Sequence, residues 1–421
     1  MTMMRTLRIA LVLGLLTGLS LSLAQVRLTY WQYEFPTKVT LLDELIEEFN
    51  AANPDIIVVQ ETFPFDAYPQ RVAAATAAGQ GPDVVNLFYG WTAAWRRAGY
   101  IEPLPRQHFD HEWIESYFVP MVEGVRFDGE YYGLPTAVRA LALFYNKDLF
   151  QEVGLDPDAP PQTWAEFVEM AQALTIARGP LFTRIGYGPG GQDHHLIRTV
   201  LTNQLGSPPY SADNREVLYG GEVGAEALRT WTDWQLVDRI GELEFVPGGS
   251  GYRIGFMNEG NIAMIIDGSF AITQIRNAAE FEWGVAELPT FDNGVRANYG
   301  SFWMNALTPK AYENEARLEA AARFTRFLTQ EDVMERWLAA VGELPASRNL
   351  VADPELLTDP VFGAFIAGLA YAEATPFVDE LEQRNTMINA YNRVLLEGMD
   401  PAESIAIAAQ EDQALLDQFA D

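Results

Sequence analysis

The chain has 421 residues, of which 48% are apolar and 12% are aromatic, and it carries a formal charge of −30 at pH 7 with no cysteine. This length favours two domains with a sizeable core, and the negative charge argues against nucleic acid or an anionic membrane surface as partner while favouring a soluble monomer. Without cysteine the chain has no disulfide and cannot carry the acylated cysteine of a bacterial lipoprotein.

The N-terminus has the pattern of a cleaved export signal. Arg5 and Arg8 precede a short apolar run over residues 9–19, and Ser22-Leu-Ala24 matches the small-x-small cleavage pattern. We therefore expect a signal peptide over residues 1–24 and a periplasmic protein that is not lipidated. An uncleaved anchor is the alternative, although the apolar run is shorter than the ~20 residues that span a bilayer.

Strand and helix patterns alternate after the signal. Residues 26–31, 56–60 and 84–88 are rich in β-forming residues and predict three strands. Apolar residues at helical spacing over 41–49 and an alanine-rich segment over 70–78 predict the helices between them. This β-α-β-α-β order predicts a parallel sheet with right-handed crossovers, in which ligands bind beyond the carboxyl ends of the strands.

The predicted strand ends are rich in aromatic residues, which stack on the apolar faces of sugars while polar groups bind the hydroxyls. Trp31, Tyr89, Trp91, Tyr299 and Trp303 all lie at such ends or at a predicted crossing between domains. Each one taken alone is more typical of a core than of a binding site. As a set, they predict that at least one lines a cleft.

The segment 134–150 is the centre of the chain's organisation. A turn leads into an apolar run that contains Arg139, and the run ends at Tyr145-Asn-Lys-Asp148, where a helix can start. A buried arginine needs a partner. We therefore expect the chain to cross here from one lobe to the other, with Arg139 at the cleft between them.

The remaining elements continue the mixed α/β pattern. Thr163-Trp-Ala-Glu166 is a capping box that opens a helix through residue 174. Strands are predicted over 184–187, 260–267 and 283–289, and 298–303 is predicted as a second crossing. Residues from 313 onward are mainly helical, and the absence of a long linker indicates more than one crossing and hence a hinge.

Catalytic and metal signatures are weak. Of the four histidines, His108 and His111 have a zinc-like spacing but no supporting ligands, and no Walker, dinucleotide or Gly-x-Ser-x-Gly motif is present. We expect no catalytic residue, metal or cofactor. An exported glycoside hydrolase or lyase remains the alternative, because a pair of acidic residues could be drawn from Glu34, Asp66, Asp83 and Asp267.

Several segments, in order, resemble the family 1 bacterial extracellular solute-binding proteins, the sugar-binding components of ABC importers, which include the maltodextrin-binding protein. The matching segments are the export signal, Gly81-Pro-Asp-Val84, residues 135–149, Pro161-Gln-Thr-Trp-Ala-Glu166, Gly260-Asn-Ile-Ala-Met264, Asp267-Gly-Ser-Phe270 and Gly284-Val-Ala-Glu-Leu-Pro-Thr-Phe291. Together they cover nearly the whole chain after the signal.

The resemblance implies a type II periplasmic-binding-protein fold, in which two α/β lobes, each a central sheet flanked by helices, meet at a multi-strand hinge. We expect lobe 1 over 25–137 plus 298–330 and lobe 2 over 138–297 plus 331–421. A sugar in the cleft would close the lobes, and membrane permease subunits would recognise the closed form. The same fold could also serve a chemoreceptor, which the sequence does not separate from import.

The resemblance also implies ligand contacts at the strand ends, the crossovers and two loops. The expected ligand-binding residues are Trp31, Tyr33, Glu34, Lys38, Asp66, Phe88, Tyr89, Trp91, Arg139, Gln192, Asp193, His194, Asp267, Gly268, Ser269, Tyr299, Gly300, Ser301, Trp303, Glu343 and Arg348.

The sequence departs from the maltodextrin-binding pattern at positions that affect ligand choice. Arg139 replaces a carboxylate, the 267–269 turn lacks an aromatic residue, and Glu343 stands where related proteins can carry tryptophan. Lys38, Arg139 and Arg348 could form a positive cleft for an anionic ligand such as a uronate or glycerol phosphate. The favoured interpretation is that Arg139 pairs with an internal carboxylate and that the ligand is a neutral mono- or oligosaccharide.

Overall fold

The computed structural model describes residues 25–419, so the predicted signal peptide over 1–24 lies outside the described residues. Within that part of the chain, no helix combines the length and the apolar character needed to cross a membrane.

The strands are short and spread along the described chain. They are β1 (Val26–Tyr33), β2 (Ile56–Phe63), β3 (Val84–Phe88), β4 (Arg126–Phe127), β5 (Glu130–Tyr131), β6 (Leu134–Arg139), β7 (Leu141–Asn146), β8 (Ile176–Arg178), β9 (Leu181–Tyr187), β10 (Ile262–Gly268), β11 (Trp283–Ala286), β12 (Asn298–Leu307), β13 (Leu344–Pro345) and β14 (Ala372–Ala374).

Helices separate most of the strands. They are α1 (Pro36–Ala52), α2 (Tyr68–Ala77), α3 (Thr92–Arg97), α4 (His111–Tyr117), α5 (Lys147–Glu152), α6 (Trp164–Leu174), α7 (Asp193–His195), α8 (Thr202–Gln204), α9 (Glu222–Leu236), α10 (Gly251–Ile254), α11 (Ile272–Ala278), α12 (Glu315–Phe327), α13 (Glu331–Val341), α14 (Arg348–Val351), α15 (Pro354–Leu357), α16 (Gly363–Gly368), α17 (Glu380–Glu397) and α18 (Pro401–Phe419). A π-helical segment, Leu196–Leu201, joins α7 to α8.

The larger sheet has seven strands in the order β13-β6-β12-β3-β1-β2, with β14 beside β12. β1 is parallel to β2 and β3, which confirms the predicted β-α-β-α-β unit. α1 packs on β2 and α12 packs on β1. Leu42, Leu45 and Phe324 are fully buried in this layer because their apolar faces repeat at helical spacing.

The smaller sheet has five strands in the order β11-β7-β10-β9-β8. α6 packs on β9, and α9, α17 and α18 pack together beyond it. The predicted capping box is confirmed, since the Thr163 hydroxyl accepts from the Glu166 N–H at 3.1 Å and the Glu166 carboxylate accepts from the Thr163 N–H at 3.2 Å. Fully buried Trp231 and Phe167 belong to this second core.

The two sheets meet where the chain crosses between them. Arg139 ends β6 in the larger sheet, and Leu141 begins β7 in the smaller one. The side chain of Asn298 at the start of β12 accepts from the Leu141 N–H at 3.0 Å and donates to the Leu141 carbonyl at 2.8 Å. Both predicted crossings are thus hydrogen-bonded to each other.

The expected lobe boundaries remain a prediction, and one segment is placed differently by the structure. α13 packs against α1, and β13 pairs with β6 in the larger sheet. Residues 331–345 therefore belong with the larger sheet, whereas we had expected the second lobe to resume at residue 331. The apolar face of α13, which includes buried Val333 and Met334, packs into the hydrophobic core of the larger sheet.

Candidate functional site

A cavity of about 350 Å³ opens where the two sheets meet. It lies at the carboxyl ends of β1 and β3, as expected for a sheet of this topology. Its volume is within the range of small-molecule sites. It is lined by Tyr33, Glu34, Phe35, Phe65, Phe88, Trp91, Arg139, Gly191, Gln192, His194, His195, Phe270, Tyr299, Ser301, Trp303, Glu380 and Arg384.

Aromatic rings form the wall that belongs to the larger sheet. Trp303 on β12 lies opposite Phe88 on β3 in register, with their ring centroids 5.7 Å apart. Tyr33 at the end of β1 packs on Trp303 at 4.2 Å, and Phe65 meets the Tyr33 ring edge-on at 5.4 Å. Phe65 is 50% exposed, so an apolar ring stands open at the mouth of the cavity.

A buried charge network supports this aromatic wall. The Glu343 carboxylate beside β13 accepts from Nε of Arg139 at 2.6 Å and also forms an ion pair with Nη2 of that residue. The same Glu343 oxygen binds Nζ of Lys38 at 2.9 Å, and the other accepts from the Trp337 indole at 2.8 Å. Burial raises the pKa of Glu343, but the charges of Arg139 and Lys38 outweigh this effect and lower it to about 2.

The favoured interpretation of Arg139, pairing with an internal carboxylate, is therefore confirmed. Its Nη2 also donates to the Tyr33 hydroxyl at 3.3 Å, and its guanidinium lies 4.8 Å from the centroid of the Phe270 ring. Among the described residues, Nη1 of Arg139 has no hydrogen-bond partner. Arg139 thus lines the cavity with one guanidinium nitrogen not used by these internal contacts.

Lys38 differs from Arg139 because it is 1% exposed and does not line the cavity. Its ammonium lies 5.2 to 5.9 Å from the centroids of four rings, those of Tyr33, Phe35, Trp303 and Trp337. Three of these rings line the cavity. Lys38 therefore supports the aromatic wall from behind through cation–π contacts.

The opposite wall is built from α7 and α17. The His195 ring stacks on Tyr299 with centroids 3.6 Å apart. Burial lowers the pKa of His194 and His195 well below the usual value, with added repulsion from the neighbouring cations, so both are neutral at pH 7. Arg384 donates to Glu380 at 2.7 Å, four residues earlier on the same helix.

Asp193 and Asp267, two carboxylates predicted to contact the ligand, bind partners inside the protein and do not line the cavity. Asp193 accepts from the Tyr187 hydroxyl at 2.6 Å and from the Gly190 N–H at 2.7 Å, and its burial raises its pKa to about 7. Asp267 forms an ion pair with Arg253 at 2.6 Å and is 0% exposed. Both stabilise the loops next to the cavity.

The structure therefore brings part of the predicted set to one cavity, and their role as ligand contacts stays a prediction. Ten of the predicted residues line it: Tyr33, Glu34, Phe88, Trp91, Arg139, Gln192, His194, Tyr299, Ser301 and Trp303. The others do not line it. Internal ion pairs or hydrogen bonds hold Lys38, Glu343, Asp193 and Asp267, and packing buries Trp31, Tyr89 and Ser269. Gly268 and Gly300 lie against Phe270 and Met121, and the side chains of Asp66 and Arg348 are exposed outside the lining.

Seven lining residues were not predicted. Phe35, Phe65, Gly191, His195 and Phe270 are sequence neighbours of predicted residues, so a wider window around each predicted loop would have found them. Glu380 and Arg384 carry no such signal, because they lie on a long helix with ordinary i, i+4 charge spacing.

A second cavity of about 550 Å³ adjoins the first one. Gly191, His194 and Arg384 line both. The second cavity continues along residues 242–246 and Tyr252 in the smaller-sheet half of the molecule. The cleft therefore has room beyond the aromatic wall.

Residues 36–335 match the family described as bacterial extracellular solute-binding protein. The chain belongs to this family. It is 27% identical over 431 residues to a Brucella abortus protein described as a binding protein, an alignment that covers 96% of this chain and 98% of that protein. It is also 27% identical over 324 residues to the sn-glycerol-3-phosphate-binding periplasmic protein UgpB of Escherichia coli K12, covering 73% of this chain and 71% of UgpB.

Solved structures share the fold. A solute-binding protein from Thermotoga lettingae bound with α-D-tagatose superposes with a TM-score of 0.78 at 24% identity, covering 93% of this chain and all of that one. The cyclic α-maltosyl-1,6-maltose binding protein from Arthrobacter globiformis gives 0.79 at 21% identity, covering 94% of this chain and all of that one. These matches confirm the predicted two-lobed, type II α/β fold.

Proposed function

We propose that this solute-binding protein captures a sugar in the cavity between its two lobes and delivers it to the permease subunits of an ABC importer. The observation that supports this most directly is the pairing of an open aromatic wall with polar groups around it. Tyr33, Phe65 and Trp303 supply flat apolar surface, and Gln192 and Ser301 supply hydrogen-bonding groups. A sugar needs both, because its ring faces are apolar and its rim carries hydroxyls.

Binding would act through closure of the two lobes. A ligand that contacts residues of both sheets favours the closed arrangement by its difference in affinity for the two states. The hydrogen-bonded crossings at Leu141 and Asn298 are the natural place for the hinge. Permease subunits would then recognise the closed form of the monomeric protein in the periplasm.

The relatives support this proposal at the level of ligand class. One superposed structure contains bound tagatose, and the other is described as binding a cyclic maltosyl-maltose. UgpB is described as binding sn-glycerol 3-phosphate. All are binding proteins, so we propose that this chain binds its ligand without chemical conversion.

The test uses the chain from residue 25 onward and calorimetric titration with a panel of mono- and oligosaccharides, polyols and amino acids. Binding by at least one sugar or sugar derivative and by no amino acid is expected. A ligand at about one hundred times its Kd should also add about 2.7 kcal/mol to the free energy of unfolding. Release of reducing ends or unsaturated products by pure protein would instead point to the exported-enzyme alternative.

A matched pair of variants locates the site. Trp91 lines the cavity and Trp113 lies elsewhere in the larger-sheet half, and both are partly buried. Trp91→Ala is expected to weaken sugar binding about tenfold or more, as expected for an aromatic residue central to a binding surface. Trp113→Ala should leave affinity unchanged. Unchanged affinity in Trp91→Ala would place the sugar site outside this cavity.

A further inference from the structure

The charged groups around the cavity do not balance. Among the described residues, the cations at the cavity and directly behind its wall are Lys38, Arg139 and Arg384, and the carboxylates paired with them are Glu343 and Glu380. One of these positive charges therefore has no carboxylate of its own.

Arg384 is compensated, because it forms an ion pair with Glu380 at 2.7 Å. Arg198, deeper in the same half, is 0% exposed, does not line the cavity and donates to the Gln383 carbonyl at 2.8 Å, so a ligand in the cavity does not reach it. The unbalanced charge at the cavity consequently lies with Lys38 and Arg139, which share the single carboxylate of Glu343.

Other carboxylates nearby do not supply the missing charge. Glu34 lines the cavity, but it is exposed, and among the described residues it forms no ion pair with Lys38 or Arg139. Asp267 is already paired with Arg253. Asp193 binds Tyr187 and Gly190 and does not line the cavity.

Of the two cations that share Glu343, only Arg139 is within reach of a ligand. Lys38 is 1% exposed and is surrounded by aromatic rings. The Arg139 side chain is 14% exposed, lines the cavity and has no partner for Nη1 within residues 25–419. When the lobes close and water leaves, this unpaired charge becomes costly unless an anion enters with the ligand.

We propose that the ligand carries an anionic group, a carboxylate or a phosphate on a sugar or polyol, and that Nη1 of Arg139 binds it. This inference rests on the proposed function and names the class of solute taken by the same cavity. A carboxylate or phosphate accepts charge-assisted hydrogen bonds from a guanidinium, which are stronger than those from a neutral hydroxyl. The aromatic wall would hold the apolar face of the carbon skeleton.

The test compares matched neutral and anionic solutes by calorimetric titration of the chain from residue 25 onward. The pairs are D-glucose with D-glucuronate, D-glucose with D-glucose 6-phosphate, and glycerol with glycerol 3-phosphate. In at least one pair the anionic member should bind about tenfold tighter or more. The uronate and phosphate arms distinguish the two sources of negative charge.

Variants then assign the preference to Arg139. Arg139→Gln should weaken binding of the anionic member about tenfold more than binding of its neutral partner, so that the preference for the anion is lost. Arg348→Gln is the matched control, since Arg348 is exposed and does not line the cavity. Lys38→Met removes the second cation that shares Glu343, so Glu343 then balances Arg139 alone. This variant should reduce the preference for the anionic solute although Nη1 of Arg139 is still present. A purely structural role for Arg139 would change both affinities equally.

Each outcome is informative even if a variant fails to fold, because the paired titrations use the natural sequence. Tighter binding of the neutral member in every pair that binds would overturn the inference and leave the proposed function standing. Binding of none of these solutes or of the wider sugar panel would count against the proposed function itself, and the inference would fall with it.

Discussion

Two buried carboxylates, one in each half of the molecule, have opposite environments. Glu343 is 3% exposed and faces Lys38, Arg139 and the Trp337 indole. Asp193 is 1% exposed and accepts from the Tyr187 hydroxyl and the Gly190 N–H, and no salt bridge is formed with it among the described residues. Burial raises both pKa values, but two cations bring that of Glu343 down to about 2, whereas that of Asp193 rises to about 7.

Because burial is common to both carboxylates, the comparison shows that the two neighbouring cations account for the difference between their pKa values. Glu343 stays ionised at any ordinary pH and fixes Arg139 at the surface of the cavity. Asp193 instead changes protonation near neutrality, and it holds the loop over residues 188–192 that carries Gln192 into the cavity. One wall is therefore fixed by charge and the other is sensitive to pH.

The largest expected effect is the loss of the carboxylate shared by two cations. Glu343→Gln leaves Lys38 and Arg139 without an anionic partner, so it should lower the free energy of unfolding by about 3–5 kcal/mol. Urea unfolding at pH 7 measures this change. Glu34→Gln, at an exposed carboxylate, is the control and should stay within about 0.5 kcal/mol of the natural protein. A stable Glu343→Gln variant would mean that the network is not needed for folding.

A second experiment tests how the protonation of Asp193, the carboxylate without a paired cation, changes stability with pH. The folded pKa of Asp193 is raised from 3.8 to about 7, so the native state holds a proton that the unfolded state has released. This contribution to stability is fully present below pH 3.8 and is lost as pH rises through 7. The advantage of the natural protein over Asp193→Asn should be about 2–3 kcal/mol greater at pH 5 than at pH 8. An advantage that does not change with pH would show that Asp193 keeps an ordinary pKa.

Glu343 should show the opposite dependence. Its folded pKa is lowered from 4.5 to about 2, so its contribution is present above pH 4.5 and is lost as pH falls toward 2. Between pH 5 and pH 3 the natural protein should lose about 2 kcal/mol relative to Glu343→Gln. Denaturant unfolding at both pH values measures the difference, and parallel losses in the two proteins would contradict the assigned ion pairs.

Local features were predictable from the sequence, and long-range partners were not. The capping box at Thr163 and the strands of the first β-α-β-α-β unit depend on residues close in sequence. The need of Arg139 for a partner followed from its apolar surroundings, but Glu343 lies 204 residues away, and no local pattern joins them. Asp267 was expected at the cavity from the family resemblance, yet Arg253, fourteen residues earlier, binds its carboxylate.

The smallest expected effect separates the aromatic contribution of the fixed wall from its charge. Phe65 is 50% exposed and meets Tyr33 edge-on at the mouth of the cavity, so Phe65→Ala removes ring surface without disturbing Glu343 or Arg139. Sugar affinity should fall about three- to tenfold, as expected from the 0.5–1.5 kcal/mol worth of an aromatic contact, with stability nearly unchanged. Leu181→Ala, at a residue 71% exposed on β9, is the control for loss of exposed apolar surface. If titration finds the same affinity in both variants, the wall binds its ligand through polar groups alone, and Phe65 only covers Tyr33.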